Sequence, residues 1–134
     1  MPDHVKILIA DPNVGALAAL RDSLSFATDL EFVGDSGLGP VALTWARTLQ
    51  PDIVIVTLED PPARPLGTIE LLARGNQPWT VLGLMTQFDQ DLFRKAVLAG
   101  ATDVLMRSAQ PRELRNSMVR ARRADLLRRT APSQ

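Results

Sequence analysis

At 134 residues the chain is long enough for one domain with a proper core and too short for two of ordinary size. Fifteen basic residues balance fifteen acidic ones, with a pI of about 6.6, which excludes a global field drawing the chain to nucleic acid or an anionic membrane. With no cysteine there is neither disulfide nor thiol chemistry, and no stretch approaches the roughly 18–20 apolar residues a membrane span needs. The first residues lack the basic start and long apolar run of a secretory signal. A soluble cytoplasmic protein is the expectation.

In chain order, Val5 to Ala10 is a short apolar run closed by Asp11-Pro12-Asn13, which predicts a buried strand, a turn and a helix start. Val14, Leu17, Leu20 and Leu24 recur at helical spacing, with Arg21 and Asp22 towards water. Leu30 to Val33 predicts a second strand and Gly34 to Gly39 a flexible loop. Pro40 then opens a helix to about Gln50 whose buried stripe is expected at Val41, Trp45 and Leu49 with Ala42. Pro51 to Pro61 contains the most continuous apolar run, Ile53 to Val56, which suits a central parallel strand covered on both faces. Pro61 to Pro65 predicts a stiff, irregular loop, and a third helix is expected over about Leu66 to Ala73.

The turn signal Gly75-Asn76-Gln77-Pro78 precedes a fourth strand at Thr80 to Met85. Asp89 to Ala99 predicts a helix stopped by Gly100, Asp103 to Met106 a fifth strand, and Pro111 opens a last helix through Leu114, Met118 and Ala121. Five strands alternating with five helices call for an α/β domain with a parallel sheet and helices on both faces.

On these residues the chain resembles the receiver domains of bacterial two-component response regulators, over about residues 5–123. The resemblance rests on Lys6 to Asp11, on Gln50 to Val54, on Asp60-Pro61 and Gly67, and above all on Ala99 to Arg107 followed by Gln110 to Leu114. It implies a CheY-like, flavodoxin-like doubly wound (βα)5 sheet in strand order 2-1-3-4-5. Residues 1–124 would form the receiver-like domain, and 125–134 the basic end of the last helix and a frayed tail.

The resemblance also assigns a site, residue by residue. The phosphoacceptor aspartate at the end of the third strand falls on Thr57, a neutral nucleophile of high pKa that cannot simply replace an ionised carboxylate. The paired magnesium-holding acids fall on Asp11 and Pro12, so one carboxylate is gone. The phosphate-sensing hydroxyl falls on Met85, with Thr86 one place along; the lysine falls on Arg107 and the switch aromatic on Val104. Glu59 stands where the family supplies a backbone carbonyl, and Glu59 or Asp60 would restore some charge. No cofactor is expected, with magnesium at most weakly held through Asp11 and Glu59.

Two readings stay open at this site. Thr57 is either a substrate for a Ser/Thr kinase or a satisfied strand-end threonine. Asp11, Glu59 and Asp60 either make a residual cation site with Arg107 as counter-charge, or an Arg107 to Asp11 ion pair fills the pocket. Arg112, Arg115 and Arg122 lie on a basic stripe of the last helix, part of the helix 4, strand 5 and helix 5 surface through which receivers bind partners or dimerise. Without interleaved aromatics or a recognition helix, direct DNA binding is not expected. These expectations converge on a stand-alone, non-enzymatic pseudo-receiver in phosphorelay signalling that binds a protein partner or itself without phosphorylation. The alternative is a divergent receiver that still accepts phosphate with Mg²⁺ on Asp60 or Asp11.

Overall fold

The computed structural model describes residues 4–13, 15–59 and 61–130. Its central strand is β3 (Ile53–Thr57), whose five residues are all buried because helices cover both of its faces. β3 pairs in parallel with β1 (Val5–Ala10) on one side and with β4 (Thr80–Met85) on the other. β2 (Leu30–Ser36) and β5 (Asp103–Met106) form the edges, giving the order β2-β1-β3-β4-β5. The fold is the doubly wound α/β sheet expected from the alternating pattern.

Side chains alternate across this sheet. Ile53 and Ile55 face a core completed by Leu20 of α1 (Ala16–Ser23), by Leu24 just after it, and by Leu114, Met118 and Ala121 of α5 (Pro111–Thr130). Val54 and Val56 face the other core, completed by α2 (Pro40–Leu49), α3 (Ala63–Ala73) and α4 (Gln90–Ala99). Each fully buried aliphatic side chain contributes about 1.5–3 kcal/mol relative to exposure, so the five-layer run of β3 with its neighbours anchors the domain.

Three local expectations are corrected. The buried stripe of α2 is Ala42 and Ala46, with Leu43 and Leu49 partly buried, whereas Val41 and Trp45 are 44% and 43% exposed. The alanines let the helix lie close on the sheet, and helical phase then turns the larger residues at 41 and 45 to solvent. β2 runs on to Ser36 through a register shift opposite Ile7 and Leu8, and Gly34 accommodates the Leu49 side chain, whose Cδ1 would lie 3.0 Å from an added Cβ. The proline-rich stretch is helical from Ala63, because Pro65 lies in the first turn, where the backbone N–H it lacks has no intrahelical acceptor.

The last helix continues through Thr130, and its end is tied to the edge of the sheet where β3 and β4 begin. Asp125, 2% exposed, accepts from Thr80 Oγ1 at 2.6 Å and from Arg129 Nη2 at 2.8 Å, and also pairs with Arg128. Arg129 donates to the carbonyls of Gln77 and Trp79. Trp79 itself is buried and donates its indole N–H to the Leu72 carbonyl at 2.9 Å.

Candidate functional site

Ala10 pairs with Val56, so Asp11 and Thr57 leave the sheet side by side at its carboxyl end, where open α/β sheets place their ligands. Asp11 is 7% exposed, and its Oδ1 accepts from the backbone N–H of Asn13 at 2.7 Å. Its Oδ2 lies 3.7 Å from Nη2 of Arg107, just beyond β5, an ion pair too long for a hydrogen bond. Asn13 also donates through Nδ2 to Glu59 Oε2 at 3.4 Å, linking the loop after β1 to the loop after β3. Sequence reasoning did not single out Asn13 as a site residue; its signal was only a turn-forming Asp-Pro-Asn.

Thr57 is buried, yet Thr57 Oγ1 has no hydrogen-bond partner among the described residues, and the same holds for Glu59 Oε1. The expected strand-end threonine is therefore packed, with no hydrogen bond from its hydroxyl among the described residues. A buried polar atom without a partner costs about 1–3 kcal/mol, so among the described residues these two oxygens are the buried side-chain atoms left to be satisfied. Asp60 lies outside the described residues.

Beside this point a cleft of about 380 Å³ opens between the ends of β3 and β4 and the start of α4, lined by Leu58, Glu59, Met85, Thr86, Phe88 and Asp89 among others. Met85 closes β4 and is packed in the core, while Thr86 is exposed at the rim, so the hydroxyl accessible to the cleft belongs to Thr86. Asp89 caps α4 by accepting from the Leu92 N–H at 3.1 Å. Val104 is buried beneath the cleft in the cluster that includes Leu58, Met85 and Ala96, with no ring to swing outwards. Pro12 is exposed and offers no side-chain oxygen.

The donors at this end do not fit magnesium of the kind receivers hold. Mg²⁺ asks for oxygen ligands in near-octahedral array, but of the two described carboxylates one faces the guanidinium of Arg107, and among the described residues no group of three potential metal-ligating side chains gathers. What the arrangement does provide is a partly desolvated surface with two carboxylates, Asp11 and Glu59, one cation, Arg107, and two oxygens, Thr57 Oγ1 and Glu59 Oε1, without hydrogen-bond partners among the described residues.

The basic stripe of α5 divides. Arg112 is exposed. Arg115 pairs with Asp29, and that hydrogen bond holds the Asp29 carboxyl below the usual carboxylate range and raises Arg115. Arg122 turns inward, with its side chain 16% exposed, donating to the Pro78 carbonyl at 2.8 Å and to Thr80 Oγ1 at 3.1 Å and pairing with Asp52 at 3.4 Å. Burial lowers Arg122 against the opposing pull of Asp52. Two of the three arginines expected on a partner-binding face thus hold the domain together, and Arg112 is left as the outward-facing one of the three.

The comparisons with known proteins agree with this geometry. No family model matches the chain. It is 29% identical over 101 residues to a protein-glutamate methylesterase/protein-glutamine glutaminase 1 of Syntrophomonas wolfei, a match covering 75% of this chain and 29% of that protein. It is 26% identical over 110 residues to the response regulator UvrY of Escherichia coli K12, covering 82% of this chain and 50% of that protein. The chain therefore spans half or less of the length of these two relatives. Among solved structures, the signal receiver domain of the putative response regulator NarL from Mycobacterium tuberculosis superposes with a TM-score of 0.79 at 17% identity, over 91% of this chain and 98% of that one. The chain thus has the fold of the CheY-like receiver domains on which it superposes. Response regulators are among the proteins to which its sequence is similar, and no described helix is long and apolar enough to cross a membrane.

Proposed function

We propose that this receiver works in phosphorelay signalling as a protein-interaction module in one fixed state, without accepting phosphate at the end of β3. The observation that carries the reading is Thr57: a buried, neutral hydroxyl at the position where the family's chemistry needs an ionised carboxylate. Asp11 faces Arg107, Pro12 supplies no ligand, and Val104 has no ring, so a phosphoryl group would find no set of contacts to favour one conformation over another. Without differential affinity there is no population shift, and output must come from a surface already presented. That surface is assigned to α4, β5 and α5, with Arg112 at its edge, and its partner is a protein in the cytoplasm or a second copy rather than DNA. In this reading the chain is a regulator and not an enzyme.

The test is incubation with a small acyl-phosphate donor and Mg²⁺, followed by intact-mass spectrometry. The mass is expected to stay unchanged. Gain of one phosphoryl group, abolished by Asp11→Asn or by Asp60→Asn, would sink this reading and establish a divergent but active receiver.

A further inference from the structure

Leu98 on α4 is 79% exposed, the most exposed of the large apolar side chains among the described residues. It borders a groove of about 330 Å³ between α3 and α4, whose lining is Leu66 and Glu70 from α3 and Lys95, Leu98 and Ala99 from α4. Leu66 and Ala99 are partly buried in the underlying core, so the floor is apolar. Its two walls carry opposite charges. Glu70 is exposed and makes no ion pair among the described residues, and Lys95 pairs only with Asp91 of its own helix at 3.0 Å, with both side chains more than half exposed.

From this pattern we infer that the α3–α4 groove is a self-association surface, occupied by the same groove of a second copy. A partner of uniform charge would meet like charge on one wall. A two-fold copy does not: a C2 interface places residue i against j and j against i, so Lys95 of each protomer meets Glu70 of the other while the two Leu98 side chains enter apolar floors. Gly67, exposed on α3 with nothing within 4 Å of where a Cβ would stand, leaves room for a close helix approach. The surface shares α4 with the output face proposed above but leaves β5 and α5 open, and it shares no residue with the Asp11–Thr57 site. With only two apolar anchors and two ion pairs per interface the dimer is weak, with a dissociation constant on the order of 10 to 100 μM.

Sedimentation velocity from low micromolar to millimolar protein tests it, with circular dichroism to verify that each variant is folded. The chain is expected to pass from monomer to dimer over that range. Leu98→Glu, Glu70→Lys and Lys95→Glu should each weaken association by about tenfold or more. Because the symmetry pairs position 70 with position 95, an equimolar mixture of the Glu70→Lys and Lys95→Glu proteins should associate more tightly than either does alone. A monomer at every concentration, association indifferent to Leu98→Glu, or no recovery in the mixture would overturn the inference.

Discussion

Replacing Gly100 with alanine is expected to destabilise the domain by about 2–4 kcal/mol. Gly100 ends α4 with φ at +125°, a conformation that costs an L-residue about 1 kcal/mol or more, and an added Cβ would lie 2.5 Å from the Cβ of Ala73 at the end of α3. That contact is far inside van der Waals distance, and relieving it means moving one helix end against the other, which costs a further 1–3 kcal/mol or so. The backbone is also committed there: the Gly100 N–H donates to the Val97 carbonyl at 3.0 Å, and the next residue, Ala101, donates to the Ala96 carbonyl at 3.0 Å. For a chain of this size the melting temperature should fall by roughly 6–16 °C. The double variant Gly100→Ala with Ala73→Gly should recover part of the loss by removing the clash while the φ strain persists. A melting temperature unchanged in Gly100→Ala would show that the α3 and α4 ends are not packed as described.

The second large effect is expected at Asp125. Burial opposes its ionisation, but hydrogen bonds from Arg129 and Thr80 and the charges of Arg129 and Arg128 outweigh burial and hold its pKa below the usual carboxylate range. Asp125→Ala leaves the Thr80 hydroxyl and two guanidinium groups without their acceptor and releases the end of α5, at a cost of about 2–4 kcal/mol. Asp125→Asn keeps the volume and an acceptor for Thr80, so it should cost roughly half as much. The sign of the pH effect follows from the lowered value: the ionised form is favoured by folding, so its contribution is complete above about 3.8 and disappears as pH falls through the lower folded value. Melting temperatures recorded from pH 6 to about 2.5 should therefore drop more steeply for the native chain than for Asp125→Asn, the two curves converging in acid. Parallel curves would remove Asp125 from the account.

These two positions also separate what sequence patterns reveal from what they hide. Gly100 was legible, because a glycine after an amphipathic run marks a helix stop. All five strands were legible for the same kind of reason: runs such as Ile53 to Val56 are too short to be anything but buried strands in a domain of this size. The phase of α2 was not, since Val41 and Trp45 outweigh Ala42 and Ala46 in apolar volume although the alanines are the residues that fit against the sheet. Asp125 lay hidden among arginines. Its position continues the buried register of Leu114, Met118 and Ala121, and an acid in that register predicts a satisfied internal network rather than a solvated stripe. Arg122 was misplaced with it, because a run of like charges does not show which member meets Asp52 seventy residues away. At the candidate site the individual positions could be read from the strand ends, whereas the Asn13 to Glu59 link and the unpaired oxygens of Thr57 and Glu59 depend on loop geometry that no local pattern encodes.

The most direct measurement is a titration with Mg²⁺, with and without beryllofluoride as a phosphoryl mimic, read through the backbone chemical shifts of Asp11, Thr57 and Arg107. A fixed-state receiver predicts no saturable change at any of the three up to millimolar metal, and no propagation to Val104 or α4. A saturable response centred on Asp11 and Thr57, extending to Val104 when beryllofluoride is added, would contradict it and show that the pocket still binds a phosphoryl group and switches.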